Sequence, residues 1–478
     1  MNTKRLFAAL LAAALLLALS ACTKTPVEAT PTPDVTAPAQ SSARYTPDGR
    51  RIITIGTWQD IYYVSKHDDI YDDATVPVLS DDDDEATRAD KDRRIRIAEM
   101  RLANLRAIEE RYNVVIDCVN LTFEGVRESI RVSIAEGMPD VDVYHVDSQF
   151  GIPAVLDGYA IALEDIDMAD RDVFNAQLVA KSLRLAGQDK SYLFNQSLAG
   201  SVSAYPLAFN MDMIAAAGLE NPQDLFDRGE WTWEVWEHYL EVLTKDTDGD
   251  GAMNIYGFSG YWTDMLRNLL MSNGAGIAMG PTQSLDSRET REVLDFISKI
   301  YNTDKTARPW DGANWEINNT LYAEGLSGFW IGADWIFDQQ GGAELPFEIG
   351  VVPWPCGPSG NVETNNYASP DTNWYMIPTG AEDPELIYNV MFDFLNWYSY
   401  DLAIGDDRNW SRTSYMTDRN FEYALMMSQR QGFDLWDSLS RTTSFSLVLL
   451  LQGTQDTQGV IDTFAVPFQE ALDRYFGK

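Results

Sequence analysis

Two hydrophobic rhythms alternate between Arg51 and Val146. Arg51–Thr57, RIITIGT, is a short apolar run of the kind that forms a buried strand, and it empties into the loop Trp58-Gln59-Asp60. Ile95, Ala98, Leu102, Leu105, Ile108 and Tyr112 then recur at helical spacing, and Val114–Val119 predicts a second strand. A helix follows over about Glu124–Ala135. The alternating run Val141–Val146 predicts a third strand, ending at Asp147, Ser148, Gln149 and Phe150. Strand, helix, strand, helix, strand is the order of a parallel α/β sheet. In such sheets ligands collect just beyond the carboxyl ends of the strands. Trp58 and Asp60 lie beyond the first strand, Asp147 and Gln149 beyond the third. For Asp147 the alternative role is capping the helix after Phe150.

The rhythm changes at Tyr205. Pro206–Phe209 is extended, Met211–Ala217 is a short helical pattern stopped by Gly218, and Thr232 is placed to cap a helix with Glu234 and Glu237 in its early turns. Trp231, Trp233 and Trp236 read singly as core anchors. Tyr256–Gly276 reads as a short strand, an aromatic bend at Tyr261 and Trp262, and a helix ending in Asn-Gly. Helices are expected near Arg288–Tyr301 and Trp315–Glu324, and strands at Phe347–Pro353 and Trp374–Ile377, with a polar loop Asn365–Asn373 between them. Val460, Phe464, Phe468, Leu472 and Tyr475 share one face of a final helix.

Composition changes the picture at the N-terminus. Lys4 and Arg5 precede an apolar run, Leu6–Leu19, too short to span a bilayer, which closes on Leu19-Ser20-Ala21-Cys22. Residues 1–21 therefore read as an export signal. The closing unit resembles the bacterial lipobox, which implies cleavage before Cys22 and a diacylglycerol anchor on its sulfur at the extracytoplasmic face of the cell membrane. Residues 22–50, rich in Pro, Thr, Ala and Ser, form a tether. The remainder is too long for one core and predicts two lobes. Cys118 and Cys356 could pair or stay as buried thiols. A net charge of −37 argues against a nucleic-acid partner and against adsorption on anionic lipid. With 14 Trp and 73 acidic residues, the chain suits a neutral polyhydroxylated ligand: carboxylates accept hydroxyl hydrogens, and aromatic faces cover the apolar side of a sugar ring.

Asp246, Asp248 and Asp250 in DTDGDG match the opening of a calcium loop, but Gly257 stands where such a loop carries its bidentate Glu. A structural calcium ion or a plain Asp-Gly turn are the alternatives. No other cofactor is expected. There is no P-loop, no GxGxxG after a strand, no HExxH and no G-x-S-x-G, and His67, His145 and His238 are scattered.

An extended segment ending in Phe209-Asn210-x-Asp212, then AAGLENP (Ala216–Pro222), then GEWTW (Gly229–Trp233) opening a helix, resembles the extracellular solute-binding protein family 1 that serves carbohydrate ABC transporters. The segment Gly137–Gly151 resembles the family's Pro-Asp, apolar strand and polar-aromatic loop. Gly325–Trp335, GLSGFWIGADW, resembles its small-residue strand ending in Gly-x-Trp, whose ligand-stacking aromatic Trp330 matches, and Trp262 falls near its sugar-stacking bend. The resemblance implies an α/β, two-lobed periplasmic-binding-protein-like (type II) fold with hinge crossovers and a helical C-terminal region. Lobe 1 would comprise residues 51–205 with about 330–378, and lobe 2, mostly helical, 206–329 with about 379–478. It implies a monomeric binding protein rather than an enzyme, which closes on a carbohydrate and presents it to permease subunits. The expected ligand residues are Trp58, Asp60, Asp147, Gln149, Trp262 and Trp330. The competing readings are a lipid-anchored glycoside hydrolase, which also needs aromatics and paired carboxylates, and a non-transport sugar sensor or interaction lipoprotein.

Overall fold

The computed structural model describes residues 44–58, 78–81, 83, 85–166, 190–194, 204–312, 321–333, 336–337, 345–368, 373–397, 412 and 414–477. Cys22, Asp60, the signal segment and most of the tether lie outside these residues.

The first sheet is founded on β1 (Arg51–Thr57), which is almost wholly buried. β2 (Val114–Asn120) runs parallel along its full length, and β3 (Val143–Val146) runs parallel on its other side, Ile55 opposite Val143. β4 (Leu193–Phe194) lies further out. α1 (Glu85–Tyr112) buries Leu102, Leu105 and Ile108 in one core with Ile53, Ile55 and Ile116, as its helical spacing predicts. α2 (Phe123–Ser129) starts at Thr122, whose hydroxyl accepts the Gly125 N–H, and continues as a wider turn over Ile130–Ile134. α3 (Ser148–Leu156) starts beyond β3. Asp142 ties the frame together: it pairs with Arg51 at 2.8 Å, and the Thr54 N–H and hydroxyl both donate to it, all in the interior.

The second sheet contains β5 (Leu207–Asn210), β6 (Tyr256–Phe258), β7 (Ser327–Ile331) and β8 (Ile349–Val352) in the order β6-β7-β5-β8. β5 is antiparallel to both its neighbours, and β6 is parallel to β7. α4 (Met211–Ala216) is capped by Asn210 and stops before Gly218, whose φ of 71° is the left-handed value glycine adopts without cost. α5 (Trp233–Leu243) is capped by Thr232 as expected. Trp231, Trp233 and Trp236 are all buried: Trp231 stacks on Phe329 at 5.9 Å, and Trp236 meets Phe258 and Trp354 edge-on. α6 (Trp262–Ser272) follows β6.

The chain then returns. β9 (Trp374–Met376) inserts antiparallel between β3 and β4, Tyr375 standing opposite both His145 and Phe194. α7 (Pro384–Leu395) packs on α1, after which the helix Asp418–Gln429 packs on β8. Among the described elements the chain passes from one sheet and its helices to the other at β4 to β5, at β8 to β9, and at α7 to Asp418–Gln429. α8 (Trp436–Thr443) and α9 (Thr457–Tyr475) complete a helical C-terminal region. Two expected boundaries move. β7 and β8, which reach into the range assigned to lobe 1, hydrogen-bond to β5 of the second sheet, so the return comes only at β9. α7, assigned to lobe 2, packs in the first lobe, because Ile387, Tyr388 and Met391 complete the core under α1. Of the expected helix Trp315–Glu324, only Leu321–Glu324 is described, as a 3₁₀ turn. Cys118 and Cys356 are free thiols. Among the described residues no helix is long and apolar enough to cross a membrane.

Candidate functional site

Trp58 leaves β1 at its carboxyl end and is half-buried. Its indole lies flat on the His145 imidazole, with centroids 4.6 Å apart and planes 13° apart, and meets Phe123 at 5.3 Å and Phe150 at 5.6 Å edge-on. Phe123 opens α2 and Phe150 lies in the first turn of α3, so segments beyond three neighbouring strands supply one aromatic cluster. His145 is buried, with Thr57 Oγ1 3.0 Å from its Nδ1. Desolvation pushes its pKa down to about 3, so the ring is neutral at physiological pH. Asp147 takes the capping role: its Oδ1 accepts the N–H groups of Gln149 at 2.8 Å and Phe150 at 3.2 Å. Gln149 is half-buried beside it.

In the second lobe the carboxyl ends of β6 and β7 meet the start of β5. The Gly332 N–H donates to Pro206 O at 2.8 Å, and Gly260 sits so close to the strands that a Cβ would come within 2.8 Å of Phe258 Cζ. Against this junction, the half-buried Tyr261 meets Trp310 edge-on at 5.2 Å. Arg267 of α6 is buried, pairs with Asp437 of α8 at 2.8 Å, lies 3.7 Å from Asp264, and stands 5.9 Å from the Tyr205 ring. Burial, then the fields of Asp264 and Asp437, raise the pKa of the Tyr261 hydroxyl. α8 joins the two clusters: it packs on α3, and its Arg441 reaches Glu124, beside Phe123, at 3.1 Å.

Trp262 and Trp330 are placed differently from the expectation. Trp262 is buried against Trp436 and Phe445, seating α6 on α8, and the half-buried ring at the bend is its neighbour Tyr261. Trp330 is fully buried in β7, stacked on Tyr322 at 4.0 Å with planes 3° apart, and neither its Nε1 nor the Tyr322 hydroxyl has a hydrogen-bond partner. The structure therefore groups Trp58, Asp147 and Gln149 at one set of strand ends, sets Trp262 behind the second cluster, and leaves Trp330 in a core. Phe123, Trp310, Arg267 and Asp437 were not nominated from sequence. Arg267 carried a faint signal, a lone cation inside the apolar stretch of α6; Asp437 carried none.

The Asp246–Asp250 carboxylates approach one another within 4.8 Å. Asp246 accepts the N–H groups of Gly249 and Gly251, which lower its pKa, and Asp250 accepts that of Ala252. Asn254, eight residues after Asp246, folds back to accept the Thr247 N–H. These bonds are those of an Asp-Gly turn, and the three carboxylates lie close enough together to hold a metal ion.

Solved structures share this fold at low identity. The substrate-binding protein Lmo0181 of Listeria monocytogenes, in complex with cycloalternan, has a TM-score of 0.59 at 15% identity, covering 89% of this chain and 99% of its own. UgpB of Mycobacterium tuberculosis, in complex with glycerophosphocholine, has 0.59 at 14%, covering 79% and 95%. The GacH receptor of Streptomyces glaucescens, solved unliganded and with acarbose, has 0.57 at 14%, covering 89% and 98%. No curated protein matches by sequence. The architecture is thus the two-lobed type II periplasmic-binding-protein fold. The profile of bacterial extracellular solute-binding proteins matches residues 103–399, more than half of the chain, and this chain belongs to that family.

Proposed function

We propose that this protein is a lipid-anchored extracytoplasmic receptor that captures a sugar or oligosaccharide by hinge closure and delivers it to the permease of an ABC transporter. The observation that carries the reading is the pairing, through α8, of the Trp58 aromatic platform with the Tyr261–Asp264–Arg267–Asp437 cluster. An indole face suits the C–H side of a pyranose, and carboxylates suit its hydroxyls. The neighbours alone do not select a ligand, since two of equal TM-score hold a cyclic oligosaccharide and a phosphodiester. Arg267 favours the saccharide over the phosphodiester, because Asp264 and Asp437 already engage the guanidinium that would have to hold a phosphate. Cys22 carries the anchor and residues 22–50 the tether; the Asp246–Asp250 loop takes a structural calcium ion.

The test is a thermal-shift screen of a Cys22→Ser chain against mono- and oligosaccharides. A ligand at a hundred times its Kd stabilises by about 2.7 kcal/mol. Stabilisation by glycerophosphocholine and by no saccharide overturns the carbohydrate assignment. Release of reducing ends at enzymatic turnover overturns the receptor in favour of a hydrolase.

A further inference from the structure

We infer that His145 is a positioning residue for ligand recognition, holding the Trp58 indole as a fixed flat platform for the apolar face of a sugar ring; this rests on the carbohydrate reading above. The support behind Trp58 is a row of cross-strand pairs. His145 stands opposite Tyr375 on β3 and β9, and Tyr375 stands opposite Phe194 on β9 and β4. Their rings follow one another at 4.9 Å and 6.0 Å, and Phe194 ends edge-on against Tyr388 in the core at 5.7 Å. A platform resting on three paired strands does not tilt as a loop does.

The imidazole also fixes the ring's backbone. Its Nδ1 lies 3.0 Å from the hydroxyl of Thr57, the last residue of β1 and the one preceding Trp58. One side chain therefore sets both where the indole starts and what it lies on. Phe123 and Phe150 meet the indole at steep angles, 86° and 75° between planes. Among the described residues His145 is the one ring stacked parallel to the half-buried indole, which is the support a pyranose stacked on that indole needs. A ring that had to be ordered on binding would cost about twofold to tenfold in affinity. An aliphatic residue at position 145 would pack beneath the indole but would neither present a parallel ring nor hold Thr57.

The experiment compares His145→Gln, which loses the flat ring, with His145→Phe, which keeps it. Both are measured by calorimetry with a saccharide that binds the wild type, and by Trp58 emission isolated by subtracting a Trp58→Phe chain. His145→Phe should bind within about threefold of wild type with the ligand-induced emission change intact. His145→Gln should bind about tenfold more weakly with that change reduced. Wild-type affinity and emission change in a folded His145→Gln chain overturn the inference. If His145→Gln does not fold, His145→Phe decides alone, and a folded variant binding tenfold more weakly overturns it. A wild type that binds no saccharide sinks the carbohydrate reading instead. The positioning claim is then judged on the unliganded protein, where His145→Gln must loosen the Trp58 anisotropy decay and His145→Phe must not; equal decays overturn it.

Discussion

Acidification should destabilise this protein through His145, and the size of the effect follows from its burial. The folded-state pKa is pushed down to about 3, against roughly 6.5 for an exposed imidazole in the unfolded chain. Between those values the unfolded chain takes up a proton that the folded protein excludes. The stability of the neutral buried ring is thus fully present above pH 6.5 and is lost as the pH falls towards 3. Integrating from about pH 7.5 to about pH 5 gives a loss of roughly 2 kcal/mol from this one group. His145→Phe keeps a flat ring in the stack and removes the titration, and subtracting it cancels the other ionisable groups. Urea unfolding of both chains at pH 7.5, 6 and 5, followed by far-UV circular dichroism, should show the variant gaining on the wild type by about 2 kcal/mol across that interval. A difference that stays constant with pH would falsify the argument, since it means the imidazole meets water equally in both states and the stack under Trp58 is open.

Four further outcomes follow. Trp330→Ala removes a fully buried ring stacked on Tyr322 and should cost about 3–5 kcal/mol, seen as a large drop in Tm; a stable variant with tenfold weaker ligand binding would restore Trp330 to the site. Arg441→Gln breaks an exposed ion pair with Glu124 and should weaken ligand binding no more than about fivefold, with a smaller salt dependence than wild type; an unchanged salt dependence removes the pair from any role in closure. Cys22→Ser should move the protein from the membrane fraction to the soluble one, and a mature variant still on membranes would refute the anchor. Chelation of the calcium-loaded protein should lower its Tm, and Asp248→Ala should abolish that difference; indifference to chelator leaves the Asp246–Gly251 loop as a turn.

The order of strands and helices was legible because apolar runs and helical spacing are local, and α1, β2, α5 and the capping of Thr232 stand where those patterns set them. Strand partnership was not, since a run such as Ile349–Val352 looks the same whichever sheet receives it; only its pairing with β5 moved it to the second lobe. The site divides on a finer distinction. Trp262 starts a stripe with Met265, Leu266 and Leu269 at helical spacing, a pattern that already assigns it to the interior, whereas Tyr261, one residue earlier and outside that helix, is the ring left half-buried. Trp330 sits in a strand whose five residues are all buried, so neither side of it is free for a ligand. Asp147 follows a strand and precedes a helix, where backbone N–H groups compete for its carboxylate and obtain it. A ring that stacks on a ligand, as Trp58 and Tyr261 would, must stay partly exposed until the ligand arrives, and partial exposure has no period to read. Trp58 is a candidate from sequence because it follows a strand end, while Arg267 and Asp437, 170 positions apart, come into view only when α8 is folded back onto α6.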